Sequence, residues 1–142
     1  MKQLLMATIA LMMGLVHLSC SGQPQQKPNT SSSEVKSQVG LYYFHFERRC
    51  STCISVEEKS KKAFEELFPE QVKAGEYFFK GVNLDEKSSA EIADELGVGM
   101  QTLMVVHGDT KIDITGEGFM YAHDYDKLKE EIKKAVEKAL KG

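Results

Sequence analysis

From Val39 to Phe46 the chain is apolar at nearly every position, with no regular interleaving of polar residues. Aromatic and β-branched residues dominate the stretch, which predicts a central strand covered on both faces. From Cys53 to Phe68 the spacing changes. Val56, Ala63, Phe64 and Leu67 fall on one helical stripe, while Glu57, Glu58, Lys61 and Lys62 lie elsewhere. Pro69 is expected to stop that helix. Tyr77 to Leu84 reads as a second strand. Ser88 or Ser89 caps a short helix carrying Ala90, Ile92, Ala93 and Leu96, which ends at Gly97. Thr102 to Val106 and Lys111 to Thr115 read as two strands, with Gly108-Asp109 suited to a tight hairpin between them. Phe119, Met120 and Tyr121 are expected in a loop. The chain ends in a helical stripe of Leu128, Ile132, Ala135, Val136, Ala139 and Leu140.

The sum is a βαβαββα order. The first two strands, joined through a helix, are expected to be parallel, and the last pair, joined by a hairpin, antiparallel. The prediction is an α/β domain over residues 39–142: a mixed four-stranded sheet flanked by helices.

The first residues follow a different rule. Lys2 precedes an apolar run from Leu4 to Val16, too short to span a bilayer and of the length of a secretory signal core. The run ends at Leu18-Ser19-Cys20-Ser21-Gly22, which resembles the lipobox of bacterial lipoproteins, with His17 where a large aliphatic residue is usual. Residues 1–20 are expected to be a lipoprotein-type signal peptide, with Cys20 the lipidated residue. Residues 21–38 are Ser, Gln, Pro, Asn and Lys with hardly an apolar group. Such a segment cannot offset its ordering entropy and reads as a flexible tether, with an end-to-end reach of roughly 20–25 Å. The expected location is outside the cytoplasm, in the periplasm or cell envelope, anchored by lipid.

Charge narrows the partners. The formal net charge is −3, and no basic stripe or block stands out, so nucleic acid is not an expected partner.

The chemistry lies in Cys50-Ser51-Thr52-Cys53, placed where the first strand gives way to the first helix. Unpaired N–H groups and aligned peptide dipoles at a helix start favour a thiolate there. Two cysteines one turn apart can also close a disulfide with little backbone movement. Cys50, at the exposed helix start, is the expected nucleophile, and Cys53, one turn in, the resolving thiol. Arg49 or Arg48 is a candidate for stabilising the Cys50 thiolate; for Arg48 a solvated basic side chain is an equal reading. His45, five residues before Cys50, is expected to be a core or edge histidine; the other reading is a proton relay.

The element order with Cys-x-x-Cys at the first strand–helix junction resembles the thioredoxin superfamily. Further landmarks agree: Val82-Asn83-Leu84-Asp85 is similar to the second core strand and its Asn-x-Asp exit, and Leu96-Gly97-Val98 to the approach to the cis-proline loop. Gly108-Asp109 matches the hairpin, and Gly116 the glycine after the last strand. Arg48-Arg49-Cys50-Ser51-Thr52-Cys53 after Tyr-Tyr-Phe-His resembles a subgroup of small thioredoxin-like proteins of bacteria and archaea. The resemblance implies substrate contacts at Met100, Gln101 and Thr102, where the family reads aliphatic–Pro–Thr. A cis bond costs about 3–4 kcal/mol before a non-proline residue, against about 0.5–1 before proline. A trans bond is therefore expected before Gln101. Phe44 stands where thioredoxin proper carries a buried Asp, and Arg49 replaces a Trp.

The expected function is thiol–disulfide oxidoreduction on protein thiols or disulfides, with no cofactor beyond the Cys50–Cys53 disulfide and with a membrane electron carrier as redox partner. The direction of electron flow stays open at this stage. Three other readings fit the motif: an inert structural bridge, a metal-handling protein for copper, zinc or an iron–sulfur cluster, and a non-catalytic binding module with the same shape.

Overall fold

The computed structural model describes residues 38–142. The segment expected to be a leader, Cys20 and all but the last residue of the expected tether lie outside the described residues. Strand β1, Val39–His45, is buried on both faces and sits inside the sheet, whose order is β2-β1-β3-β4. Strand β2 is Tyr77–Asn83, β3 is Thr102–His107 and β4 is Thr110–Asp113. β1 pairs parallel with β2 and antiparallel with β3, and β3 pairs antiparallel with β4. The parallel β1–β2 pair and the antiparallel β3–β4 pair follow the sequence reading; the antiparallel seating of β3 on β1 was not part of it.

Side chains alternate across β1 and divide the core in two. Val39, Leu41 and Tyr43 face helix α1, Ser51–Leu67, and the C-terminal helix α5, Tyr125–Ala139, through Val56, Phe64, Leu128 and Ile132. Tyr42 and Phe44 face the other way, onto Val82, Met104 and helix α3, Ala90–Leu96. Each large apolar side chain so buried contributes about 1.5–3 kcal/mol, which accounts for the uninterrupted apolar run in β1.

Two helices depart from the sequence reading. Pro69 ends α1 as expected, yet it also opens a five-residue helix α2, Pro69–Lys73. Proline lacks the N–H that a first helical position leaves unpaired anyway, so it stops one helix and starts the next. The segment expected as a loop after the last strand is helix α4, Thr115–Met120, and β4 is correspondingly shorter than expected. Asp113 accepts both the N–H and the hydroxyl of Thr115, at 2.8 and 2.6 Å, which turns the chain into α4. Gly116 thus lies within a helix. Gly118 lets that helix press on the sheet, since a Cβ there would lie 2.8 Å from Leu103 Cδ2. A smaller departure precedes α3. Ser89 holds the N-cap position without a capping side-chain bond, and a 3₁₀ turn, Lys87–Ser89, leads into the helix.

The topology fixes where chemistry can occur. α1 starts just past the C-terminal end of β1, and β3 enters the sheet at that same end, with Thr102 opposite Phe44. The dithiol and the loop before β3 are therefore neighbours.

Candidate dithiol active site

Cys50 is the N-cap of α1, with extended backbone at φ −77° and ψ 165°. Its sulfur accepts the Cys53 N–H at 3.2 Å, in the place a serine or aspartate oxygen takes at other helix starts. Cys50 is exposed, whereas Cys53 is 8% exposed. The two are joined as a disulfide with Cα atoms 5.2 Å apart, within the range that a disulfide spans without distortion of the chain. The amides and dipole of a 17-residue helix thus converge on the outer sulfur.

Beneath the pair lies Tyr43, fully buried in β1, whose hydroxyl donates to the Cys53 carbonyl at 2.9 Å. The Gln101 side-chain amide donates to the Tyr43 hydroxyl, and its Oε1 lies 3.8 Å from Cys53 Sγ. Burial, the largest cause, pushes the Tyr43 phenol above its ordinary range, aided by the Glu57 charge and opposed by the Gln101 hydrogen bond and Arg49. The phenol therefore stays a donor at neutral pH.

Of the loop residues singled out from the sequence, only Gln101 reaches the sulfur by its side chain. Met100 is 69% exposed beside it, and Thr102 is buried, its hydroxyl turned back onto the Met100 carbonyl at 3.0 Å. All peptide bonds among the described residues are trans, including the one before Gln101.

Arg49 lies next to the dithiol with its guanidinium ion-paired to Glu57, one turn beyond Cys53 on α1. Gly81 of β2 makes room for that carboxylate: a Cβ there would sit 2.7 Å from Glu57 Oε1. Arg48 is exposed. His45 makes a bond between its Nδ1 and the Phe46 carbonyl at 2.9 Å and stacks obliquely on Tyr43, with no hydrogen bond to either sulfur.

The loop from β1 to Cys50 is held from the side. Asp85 accepts the Glu47 N–H at 2.7 Å, Asn83 accepts the Asp85 N–H at 3.1 Å, and Leu84 donates to the His45 carbonyl at 2.7 Å. The Asn-x-Asp exit of β2 thus braces the strand that delivers the dithiol. Sequence reasoning did not find the parts played here by Tyr43, Glu57 and Asp85. The available signal for Asp85 was that exit motif. Among the described residues, no group of three or more His, Cys, Asp or Glu side chains is placed to hold a metal ion.

No family model matches the chain, and no curated protein matches it. Among solved structures, the chain is similar to the zinc-bound form of human ERp44, a thioredoxin-domain protein, with a TM-score of 0.52 and 17% identity over 76% of this chain. The fold is thioredoxin-like. This thioredoxin-like chain spans 29% of the ERp44 chain. It is also similar to thioredoxin of Fasciola hepatica, at TM-score 0.47 and 22% identity, covering 72% of this chain and 86% of that one. The first two thioredoxin domains of Saccharomyces cerevisiae Eps1p give a TM-score of 0.43 and 19% identity over 75% of this chain and 44% of theirs. At these identities the likeness speaks to the fold alone.

Proposed function

We propose that the protein is an exported, membrane-tethered thiol–disulfide oxidoreductase in which Cys50 exchanges with protein thiols or disulfides and Cys53 resolves. The observation that carries this reading is the asymmetry of the pair: an exposed outer sulfur at a helix N-cap, bridged to a sulfur that is nearly buried. A substrate can reach only the outer one. A thiolate there is favoured by the Cys53 N–H and the helix dipole, and the thiolate is the form that attacks. The thioredoxin-like fold supports the same class of chemistry.

Substrate contact at Met100, Gln101 and Thr102 is supported by the position of this loop against the dithiol, with Met100 offering an exposed apolar side chain. Export and anchoring rest on the sequence: the apolar run Leu4–Val16, the Cys20 junction and the polar tether after it. Acting as a reductase outside the cytoplasm, a tethered exchanger needs electrons delivered through the membrane, for which a disulfide-reducing membrane carrier is the natural partner; acting as an oxidase, it needs a quinone-coupled partner instead.

Equilibration in glutathione buffers tests the central claim. A Cys50–Cys53 midpoint above about −300 mV marks an exchangeable pair, and one well below it marks a structural bridge. The reading also requires that catalytic amounts of the protein accelerate reduction of insulin by dithiothreitol.

A further inference from the structure

Three residues far apart in the sequence form one hydrogen-bonded chain under the dithiol, and its polarity is forced. The Cys53 carbonyl oxygen can only accept, so the single proton of the Tyr43 hydroxyl is committed to it, at 2.9 Å. The Tyr43 oxygen is then free only to accept, and Gln101 must offer it the NH₂ end of its amide. That leaves the other end, the carbonyl Oε1, facing Cys53 Sγ at 3.8 Å. A donor at this place would stabilise a sulfur anion. The protein puts an acceptor there.

We infer that Gln101 is a positioning residue that keeps the Cys53 proton in place in the reduced protein and so prolongs the bond between Cys50 and a substrate. The inference rests on the oxidoreductase reading above. In the reduced protein Cys53 carries an S–H, for which Gln101 Oε1 is the acceptor at hand. A hydrogen bond to an acceptor favours the thiol over the thiolate. Cys50 has the opposite surroundings, since its sulfur accepts the Cys53 N–H at 3.2 Å. Negative charge therefore collects on the outer sulfur and the proton on the inner one.

The consequence follows from the order of bonds. The Cys50 thiolate attacks a substrate disulfide; the Cys50–substrate S–S bond forms, the substrate S–S bond breaks, and the departing sulfur takes a proton from water. Cys53 then gives its proton to solvent and attacks Cys50 Sγ. The Cys50–Cys53 bond forms, the Cys50–substrate bond breaks, and the second substrate sulfur leaves and is protonated. Two electrons have passed from the dithiol to the substrate disulfide, and no other oxidant or reductant takes part. Only the second step needs Cys53 without its proton. An acceptor fixed on Cys53 slows that step and leaves the first alone.

The test reads the Cys53 proton directly. In the reduced Cys50→Ser protein, the rate of iodoacetamide labelling at Cys53 is followed against pH by mass spectrometry, with Gln101, Gln101→Leu and Gln101→Glu, each checked for folding by circular dichroism. Loss of one neutral acceptor is expected to raise Cys53 labelling at pH 7 about fivefold. The carboxylate of Gln101→Glu is expected to lower it. Tyr43→Phe gives a second route, because it frees the amide to turn and is expected to move labelling in the same direction as Gln101→Leu. A general loosening of the loop would move the Leu and Glu variants the same way, and that result overturns the inference, as does identical labelling for all three side chains.

In the protein with both cysteines, oxidised glutathione serves as the disulfide probe. The rate of glutathione release from Cys50, divided by the rate at which the mixed disulfide forms, is expected to rise about fivefold in Gln101→Leu. An unchanged ratio overturns the lifetime claim. Complete failure of the protein to form a mixed disulfide with this probe removes the oxidoreductase reading and the lifetime claim together. The labelling series needs no turnover, so it judges the Gln101 assignment separately.

Discussion

Glu57 holds the guanidinium of Arg49 in an ion pair beside the dithiol, and the absent side chain of Gly81 gives the carboxylate its place. Sequence reasoning assigns Arg49 to the Cys50 thiolate; the structure gives its charge a partner already. The cation nearest in sequence to Cys50 is therefore largely balanced, and the helix start carries most of the stabilisation of a thiolate there.

Glu57→Gln tests that balance. With the carboxylate removed, the Arg49 charge is free to act on the reduced Cys50 sulfur. The pH at which Cys50 labelling reaches half its maximum is expected to fall, by less than about one unit for so open a site. Arg49→Ala alone is expected to shift it very little. If Arg49→Ala raises the midpoint strongly while Glu57→Gln does nothing, the guanidinium acts on the sulfur in spite of its partner.

The two cysteines are expected to behave differently when replaced. Cys50→Ser abolishes turnover, because no nucleophile remains at the exposed helix start. Cys53→Ser leaves attack intact and accumulates mixed disulfides, seen as reductant-sensitive bands on non-reducing gels. Faster alkylation of Cys53 than of Cys50 in the reduced protein would reverse the two roles.

Tyr125 makes the stability of the protein fall with pH above about 10. Burial first, and then the hydrogen bond to Glu66, push its phenol up to about 12. An unfolded tyrosine ionises near 10, so the contribution is whole below that pH and is lost as pH rises toward 12. Urea midpoints are expected to fall more steeply over this window in the wild type than in Tyr125→Phe. Parallel pH curves for the two proteins would show that this phenol contributes nothing.

Cys20→Ser is expected to move the protein from the membrane fraction to the soluble fraction without altering residues 39–142. Mass spectrometry of the mature N-terminus decides the point: a diacyl or triacyl mass on Cys20 supports the anchor. An unmodified N-terminus at Ser21 or later would leave a freely diffusing protein and remove the main support for hand-off from a membrane carrier.

The parts of this molecule legible in its sequence are those written in local patterns. The double-faced burial of β1 shows in the run Val39–Phe46, and α1 in the stripe Val56, Ala63, Phe64 and Leu67. The dithiol at a helix start was equally plain from Cys50 and Cys53. Helix α4 was not, because Gly116 and Gly118 disfavour helix locally, and it forms through the Asp113–Thr115 turn and the close approach of Gly118 to Leu103. Nor was the bond from Gln101 to Tyr43, which joins residues 58 apart in the chain. Glu57 has the sequence context of an ordinary solvated helix residue. Its partner Arg49 comes from the loop ahead of the helix, and the space it fills comes from a glycine on another strand.

Strand β1 gives the domain two poles. The chain enters the sheet at Val39 and leaves it at His45, just ahead of Cys50, so the length of the strand, roughly 20 Å, separates the domain's N-terminal end from the dithiol. Whatever holds residue 38 holds the far pole. A protein held there presents its dithiol outward, toward molecules arriving from solution, and must turn over or stretch to bring the same sulfur back to the surface that holds it.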